Sequence, residues 1–171
     1  MPNNLDDIAR RVQHLRDRLP LLIGNEVVNF ALDNFDKQGF DTGTVVRKWQ
    51  PRKHGDRPGG AILVGKQSGR LRRSIRQLRR TDTSVWVGSD EVYSGIHNEG
   101  GTLRVTVTPK SRRYFWAMYY ETKKDYWKWM ALTKKPQLTI KMPERRFLGN
   151  SAELDRRIIR LIERELEKIF K

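Results

Sequence analysis

The histidines of this 171-residue chain are the first candidates for chemistry, because the sequence contains no cysteine. They lie at positions 14, 54 and 97, too far apart for a local metal-binding motif. His97 is followed by Asn98 and Glu99, which is not the H-E-x-x-H spacing that places two imidazoles on one helical face. Either His97 forms a small site with Glu99 or Ser94, or it stabilises a turn before Gly100. The second interpretation is favoured.

Two further segments resemble catalytic motifs without matching them. Gly65-Lys66 suggests a phosphate-binding loop, but Gln67 stands where that motif needs a serine or threonine to bind Mg²⁺. Asp90 and Glu91 are adjacent carboxylates in a predicted turn, and no third metal ligand is near them in sequence. No G-x-S-x-G nucleophile motif is present. The sequence therefore predicts no catalytic residue, cofactor, metal site or small-molecule substrate, and favours a protein that is not an enzyme.

The charge of the chain is strongly positive and unevenly distributed. The formal net charge is +15, from 35 Lys and Arg against 20 Asp and Glu. Residues 44–80 carry 12 basic and 1 acidic group, and residues 109–149 carry 11 and 3. If these two blocks share a face, they would attract nucleic acid or an acidic protein surface. A solvated basic surface with no partner is an equally good interpretation.

The first basic block contains a run of arginines around apolar positions. Leu71, Ile75 and Leu78 recur at helical spacing, which predicts a helix that begins after Ser68. The arginines would then cover its exposed arc and contact DNA phosphates or acidic groups of a partner. The alternative is that they shield the edge of the core and stay solvated. The residues concerned are Arg70, Arg72, Arg73, Arg76, Arg79 and Arg80.

The second basic block contains half of the aromatic residues. Eight of the sixteen Phe, Trp and Tyr residues fall within residues 114–130, interleaved with three lysines. Such a segment is compatible with stacking on single-stranded nucleic acid or with a protein interface. The plain alternative is a helix that docks on a sheet through Phe115, Met118, Thr122 and Tyr126. Because too many rings remain for one buried face, we expect a protein interface that includes Trp116, Tyr120, Trp127 and Trp129.

The elements that must position these segments are helices at both ends and strands between them. Apolar residues at steps of three and four predict a long helix from Leu5 to Phe35, kinked or broken near Pro20. Strands are predicted at 45–49, 61–64, 85–87, 103–107 and 137–142, the fourth with one buried face. An amphipathic helix capped by Asn150 or Ser151 ends the chain. The predicted fold is α+β, a single domain over residues 1–171. Its central, mostly antiparallel sheet is bracketed by the two helices. No membrane span or secretory signal is expected.

Three motifs, taken in order, resemble one protein family. Gly65–Ile75 reads G-K-Q-S-G-R-L-R-R-S-I, and Tyr93–Gly101 reads Y-S-G-I-H-N-E-G-G after a V-W-V-G-S turn. Met142–Ser151 reads M-P-E-R-R-F-L-G-N-S directly before the last helix. In this order and spacing, and together with the early Q-G-F and Trp49, they are similar to the phage virion morphogenesis (tail-completion) family.

The resemblance implies a structural assembly protein of a bacteriophage or prophage, acting in tail completion or at the head–tail junction. Family members would work as rings of identical subunits that contact other tail or neck proteins, in the host cytoplasm during assembly and then in the virion. A basic inner surface would suit non-specific contact with DNA. A stand-alone nucleic-acid-binding protein is the alternative. A hydrolase or nuclease would need carboxylates assembled from distant segments, and the sequence does not suggest them.

Overall fold

The computed structural model describes residues 4–51, 61–64 and 69–171. These residues form an α+β fold, as predicted, with a long helix at the N-terminus and another at the C-terminus. The elements, in chain order, are α1 (Asn4–Lys37), β1 (Gly39–Asp41), β2 (Val46–Lys48), α2 (Arg70–Ser74), β3 (Arg76–Arg80), β4 (Val85–Gly88), α3 (Ser94–Glu99), β5 (Gly101–Thr106), α4 (Pro109–Thr122), α5 (Asp125–Leu132), β6 (Gln137–Met142) and α6 (Ala152–Phe170).

The β structure consists of three antiparallel pairs. Within the described ranges, β1 pairs with β2, β3 with β4 and β5 with β6, each as a separate two-stranded sheet. The predicted antiparallel arrangement is therefore present, divided among three small sheets. Two-stranded sheets depend on packing against other elements for their stability. Here α1 supports two of the three pairs, because it contacts β1, β3 and β4, and it also packs against α6.

Helix α1 continues through Pro20 without interruption. A proline inside a helix removes one backbone hydrogen bond and crowds the preceding turn. Pro20 is buried, and the following half of α1 carries the fully buried Phe30, Ala31, Asn34 and Phe35. The packing of this half therefore holds the helix in register beyond the proline.

The core joins residues from both halves of the sequence. Ala31 and Phe35 of α1 pack with Trp49, Phe147 and two residues of the α2 region, Leu71 and Ile75. The ring centroids of Phe35 and Trp49 are 5.4 Å apart in an edge-on arrangement, and those of Phe35 and Phe147 are 5.1 Å apart. Aromatic pairs in this geometry contribute beyond the area that they bury.

The predicted helix over residues 70–80 is wrong beyond Ser74. Helix α2 ends there, and Arg76–Arg80 form β3, paired with β4. Leu71 and Ile75 are buried as the helical spacing predicted, but Leu78 is 49% exposed. Pairing with β4 therefore outweighs the local helical pattern. The predicted strand at 61–64 is also wrong, since 62–64 form a turn. Ser68 lies outside the described residues.

Other predicted elements agree with the structure. Strands β2, β4 and β6 lie where strands were expected, and α6 begins after Ser151, whose hydroxyl accepts a hydrogen bond from the Glu153 amide at 3.1 Å. Strand β5 is also present, but the prediction of one buried face is wrong. All six of its residues are exposed, Leu103 to 38% and Val105 to 39%.

Residues 101–142 form one excursion of the chain, which we call the arm. Strands β5 and β6 pair over their full six-residue lengths, from Gly101 opposite Met142 to Thr106 opposite Gln137. Helices α4 and α5 lie between these strands in sequence and pack against each other. Lys123 ends α4 in a left-handed conformation, at φ 55°. The aromatic segment is thus a helical hairpin carried by a two-stranded ribbon.

Candidate assembly surfaces

The segment before α6 is held by side chains from three other parts of the chain. The Asn98 side chain on α3 accepts hydrogen bonds from the amides of Phe147 and Leu148, at 2.9 and 3.0 Å, and donates one to the Leu148 carbonyl at 3.1 Å. The buried Asn34 on α1 donates to the Phe147 carbonyl at 3.2 Å and accepts from the Asp41 amide at 3.0 Å. Buried amide side chains satisfied in this way fix backbone positions.

Two further contacts attach the same segment to the loop after β2. The Trp49 indole donates to the Arg146 carbonyl at 2.7 Å, and the buried Arg145 guanidinium donates to the Gln50 carbonyl at 3.0 Å. The Arg145 amide also donates to the His97 carbonyl at 2.9 Å. The motif residues around Phe147 therefore act as a framework that joins α1, α3 and the β2 loop.

Asp90 and Glu91, the adjacent carboxylates considered above as metal ligands, bind arginines of the same chain. Glu91 accepts a hydrogen bond from the Arg70 guanidinium at 2.6 Å, and Asp90 pairs with Arg76 at 2.9 Å. The hydrogen bond that Arg70 donates to Glu91 raises the pKa of Arg70, so this guanidinium stays charged at neutral pH. The ring centroids of Tyr93 and His97 are 5.8 Å apart. Burial, and then the nearby Glu91, raises the pKa of Tyr93, so its phenol stays neutral at physiological pH.

Arg70, Tyr93 and His97 border a cleft of about 970 Å³. Its wall combines body residues such as Leu71 and Tyr93 with Met130 of α5 and residues 138–142 of β6. The lining is mostly apolar. In the part of the chain that the structure describes, no group of three His, Cys, Asp or Glu side chains is arranged to hold a metal ion. The cleft was not predicted, because Leu71 and Tyr93 on one wall lie 59 and 37 residues before Met130 on the other.

Three of the six candidate arginines pair with acidic side chains of the same molecule. Arg70 and Arg76 bind Glu91 and Asp90 as described, and Arg72 donates twice to Asp36 of α1, at 3.0 Å to each oxygen. These guanidiniums are half-exposed or exposed, so each pair adds little to stability. Their charges are nevertheless neutralised locally, which weakens them as contacts for DNA.

The other three candidate arginines are exposed at the end of the β3–β4 pair and on α2. Arg79 lies over the Trp86 ring at 5.2 Å from its centroid, a cation–π contact. Arg73 and Arg80 form no ion pair with any described residue. The six arginines are therefore divided between α2 and β3, and they do not share the single helical arc that the sequence predicted.

The four candidate interface aromatics have different environments on the arm. Trp129 is 68% exposed and Tyr120 is 64% exposed, whereas Trp116 is half-buried and stacks on Tyr120 at 6.1 Å between ring centroids. Trp127 lies inside the hairpin, where it packs on Tyr114 and Phe115 at 5.8 and 6.0 Å. Two of the four are therefore exposed, Trp116 is partly covered by its neighbours, and Trp127 joins the two helices. The hairpin is also tied by Arg112, which donates to the Ala131 carbonyl at 2.5 Å.

The arm also carries a large excess of cationic charge. Residues 101–142 contain ten Lys and Arg against two Asp and Glu, a net charge of +8. Arg113, Lys134 and Lys135 are exposed and form no ion pair within the described ranges. The charge count signalled this block in the sequence, but it could not show which of its cations lack an ion pair among the described residues.

The chain matches the model of the phage virion morphogenesis family over residues 2–167. The match includes the framework around Phe147, the arginine segment and the arm. No curated protein and no solved structure matches the chain. No described helix has both the length and the apolar character needed to cross a bilayer.

Proposed function

The chain belongs to the phage virion morphogenesis family, and we propose that it is a non-enzymatic assembly protein that completes the tail or joins it to the head. The observation that carries the proposal is the match over residues 2–167, which leaves only five of 171 residues outside it. It would act in the host cytoplasm during assembly and then remain in the virion, in contact with other tail or neck proteins.

The role of the family motifs in the fold supports this proposal. Phe147, Trp49, Leu71 and Ile75 all pack in the core, and Asn98 binds backbone groups beside Phe147. These residues shape a stable body and do not converge on a reacting group. A protein whose characteristic residues define its shape is suited to a structural role.

The proposed assembly is a ring of identical subunits. Head-to-tail contacts between neighbouring copies close into a ring when the rotation between them is a simple fraction of a turn. Exposed apolar residues away from the arm, such as Ile159 of α6 and Val92, are available for contacts of this kind. Native mass spectrometry of particle-derived protein would give the number of copies.

A stand-alone nucleic-acid-binding protein is the second candidate, because Arg73, Arg79 and Arg80 are exposed and the net charge is +15. Reversing the charges of Arg73, Arg79 and Arg80 separates the two functions. Loss of DNA affinity in a gel shift together with normal particles would favour DNA binding alone.

The direct test is to delete the gene from the phage or prophage that encodes it and to examine the particles by electron microscopy. We expect heads and tails that remain unjoined, or tails with abnormal ends. Supplying the gene in trans should restore normal particles. Normal infectious particles in the deletion strain would overturn the proposal.

A further inference from the structure

We propose that the arm is the docking element of this protein, and that it binds an acidic, partly apolar surface of a different protein of the particle. This inference rests on the proposed function and identifies the surface through which it is carried out. It follows from the charge of the arm, from the placement of its exposed rings, and from the charge of the rest of the molecule.

Arg113, Lys134 and Lys135 of the arm form no ion pair with any described residue and are available to a partner, unlike many cations elsewhere. Outside the arm, Arg70, Arg72 and Arg76 bind carboxylates of the same chain. On α6, Arg157 lies 2.7 Å from a carboxylate oxygen of Asp33 and 3.3 Å from one of Glu153. These four arginines are thus compensated by contacts that also hold the fold together.

On the arm, charge and aromatic rings form one stripe along α4. Arg113, Trp116, Tyr120 and Lys123 are spaced three and four residues apart, which places them on one side of the helix. The Lys123 ammonium lies 5.7 Å from the centroid of the Tyr120 ring, which in turn stacks on Trp116. Protein interfaces commonly have aromatic hot-spot residues at the centre and charged residues at the rim. The stripe on α4 has the same arrangement.

The stacked rings are also fixed before a partner binds. Trp116 contacts Tyr119 at 5.9 Å and Tyr120 at 6.1 Å between ring centroids. Side chains that are already ordered lose less conformational entropy on binding. A second exposed apolar pair, Trp129 and Leu132, lies three residues apart on α5, at 68% and 52% exposure.

The partner is a protein other than a second copy of this chain. Residues outside the arm contain 25 Lys and Arg against 18 Asp and Glu, a net charge of +7, so a second copy would repel an arm of +8. Duplex DNA would satisfy the charge but would leave Trp129 and Leu132 without an apolar surface to cover them. An acidic protein with an apolar patch satisfies both requirements.

The test measures binding of the purified full-length chain to unjoined heads and to tails, each isolated from the deletion strain, by co-sedimentation. We expect the wild-type chain to bind one of the two, and to bind it more weakly as the salt concentration rises from about 50 to about 300 mM. A charge variant, Arg113→Glu with Lys134→Glu and Lys135→Glu, should bind at least about tenfold more weakly. A ring variant, Tyr120→Ala with Trp129→Ala, should lose about tenfold or more.

Matched variants on the body serve as controls. Arg73→Glu with Arg79→Glu and Arg80→Glu makes the same change in net charge, and Trp86→Ala removes an exposed ring of the β3–β4 pair. Both should bind as the wild type does. Circular dichroism of each variant should match that of the wild type, since the substituted side chains are exposed.

Three results would overturn the proposal. Equal binding of the arm variants and the wild type would remove the arm from the interface while leaving the proposed function intact. Displacement of the chain by duplex DNA, with the same dependence on the arm residues, would assign the arm to nucleic acid. Failure of the wild-type chain to bind heads or tails would refute the proposed function itself, and the inference with it.

Discussion

Replacing Asn34 with alanine should lower the free energy of unfolding by about 2–3 kcal/mol. The Asn34 side chain is fully buried on α1 and joins two distant backbone groups, the carbonyl of Phe147 and the amide of Asp41. Each neutral hydrogen bond contributes about 1 kcal/mol, and a buried partner left without one costs about 1–3 kcal/mol. The better helix propensity of alanine offsets about 0.5 kcal/mol of this loss.

Asn29→Ala is the matched control for this substitution. Asn29 lies on the same helix but is exposed, so its replacement changes the helix propensity without removing a buried contact. Urea denaturation followed by circular dichroism gives both free energies, and their difference isolates the two hydrogen bonds. If the two variants differ by less than about 0.5 kcal/mol, the segment around Phe147 is not held by α1 and the framework interpretation of that motif fails.

Three further predictions concern the turn before the arm, acid stability and the arm itself. Gly100→Ala should cost about 2 kcal/mol or more in urea denaturation, because φ is +73° and an added Cβ would lie 2.7 Å from a backbone nitrogen; an unchanged midpoint would contradict this turn. The hydrogen bond from Lys37 lowers the pKa of Asp41 below its ordinary 3.8, so the stability it contributes is present above pH 3.8 and is lost as the pH falls through the folded-state pKa. The melting temperature of Asp41→Asn should therefore fall less steeply below pH 3.8 than that of the wild type, and parallel curves would refute this assignment. Trp129→Phe should reduce quenching of tryptophan fluorescence by iodide more than Trp127→Phe does, and the reverse order would place Trp129 inside the hairpin.

The two terminal helices and strand β6 could be predicted from the sequence because their signals are local. Helix α6 carries an apolar stripe and a serine N-cap, and β6 is a short strand that ends directly before Pro143. Helix α1 was predicted in the same way. Its continuity through Pro20 was not, because it depends on burial against β3, β4 and α6.

The segment from Arg70 to Arg80 shows where local pattern fails. Leu71 and Ile75 follow helical spacing and are buried, yet β3 begins one residue later. The strand is stabilised by its partner β4 and by Gln77, which donates to the Leu21 carbonyl and to the Asn25 side chain, 56 and 52 residues away. The eleven residues from Arg70 to Arg80 include none of these partners, so their local pattern could not predict the strand.

The surface chemistry was predictable in composition but not in arrangement. The sequence identified the arginines and the aromatic–lysine segment, and it left open whether they contact DNA, contact a protein or stay solvated. The internal partner of Arg72 is Asp36, 36 residues earlier in the chain, and the role of Trp127 inside the hairpin depends on a turn at Lys123. Such pairings follow from the fold as a whole, so the sequence predicted an interface in the aromatic segment but not which of its side chains are exposed.

A cryo-electron microscopy reconstruction of the completed particle would test the central claim most directly. The account predicts density for this chain at the head–tail junction or at an end of the tail, with the α4–α5 hairpin covered by a different, acidic protein. Particles that are infectious and contain no copy of the chain would contradict it.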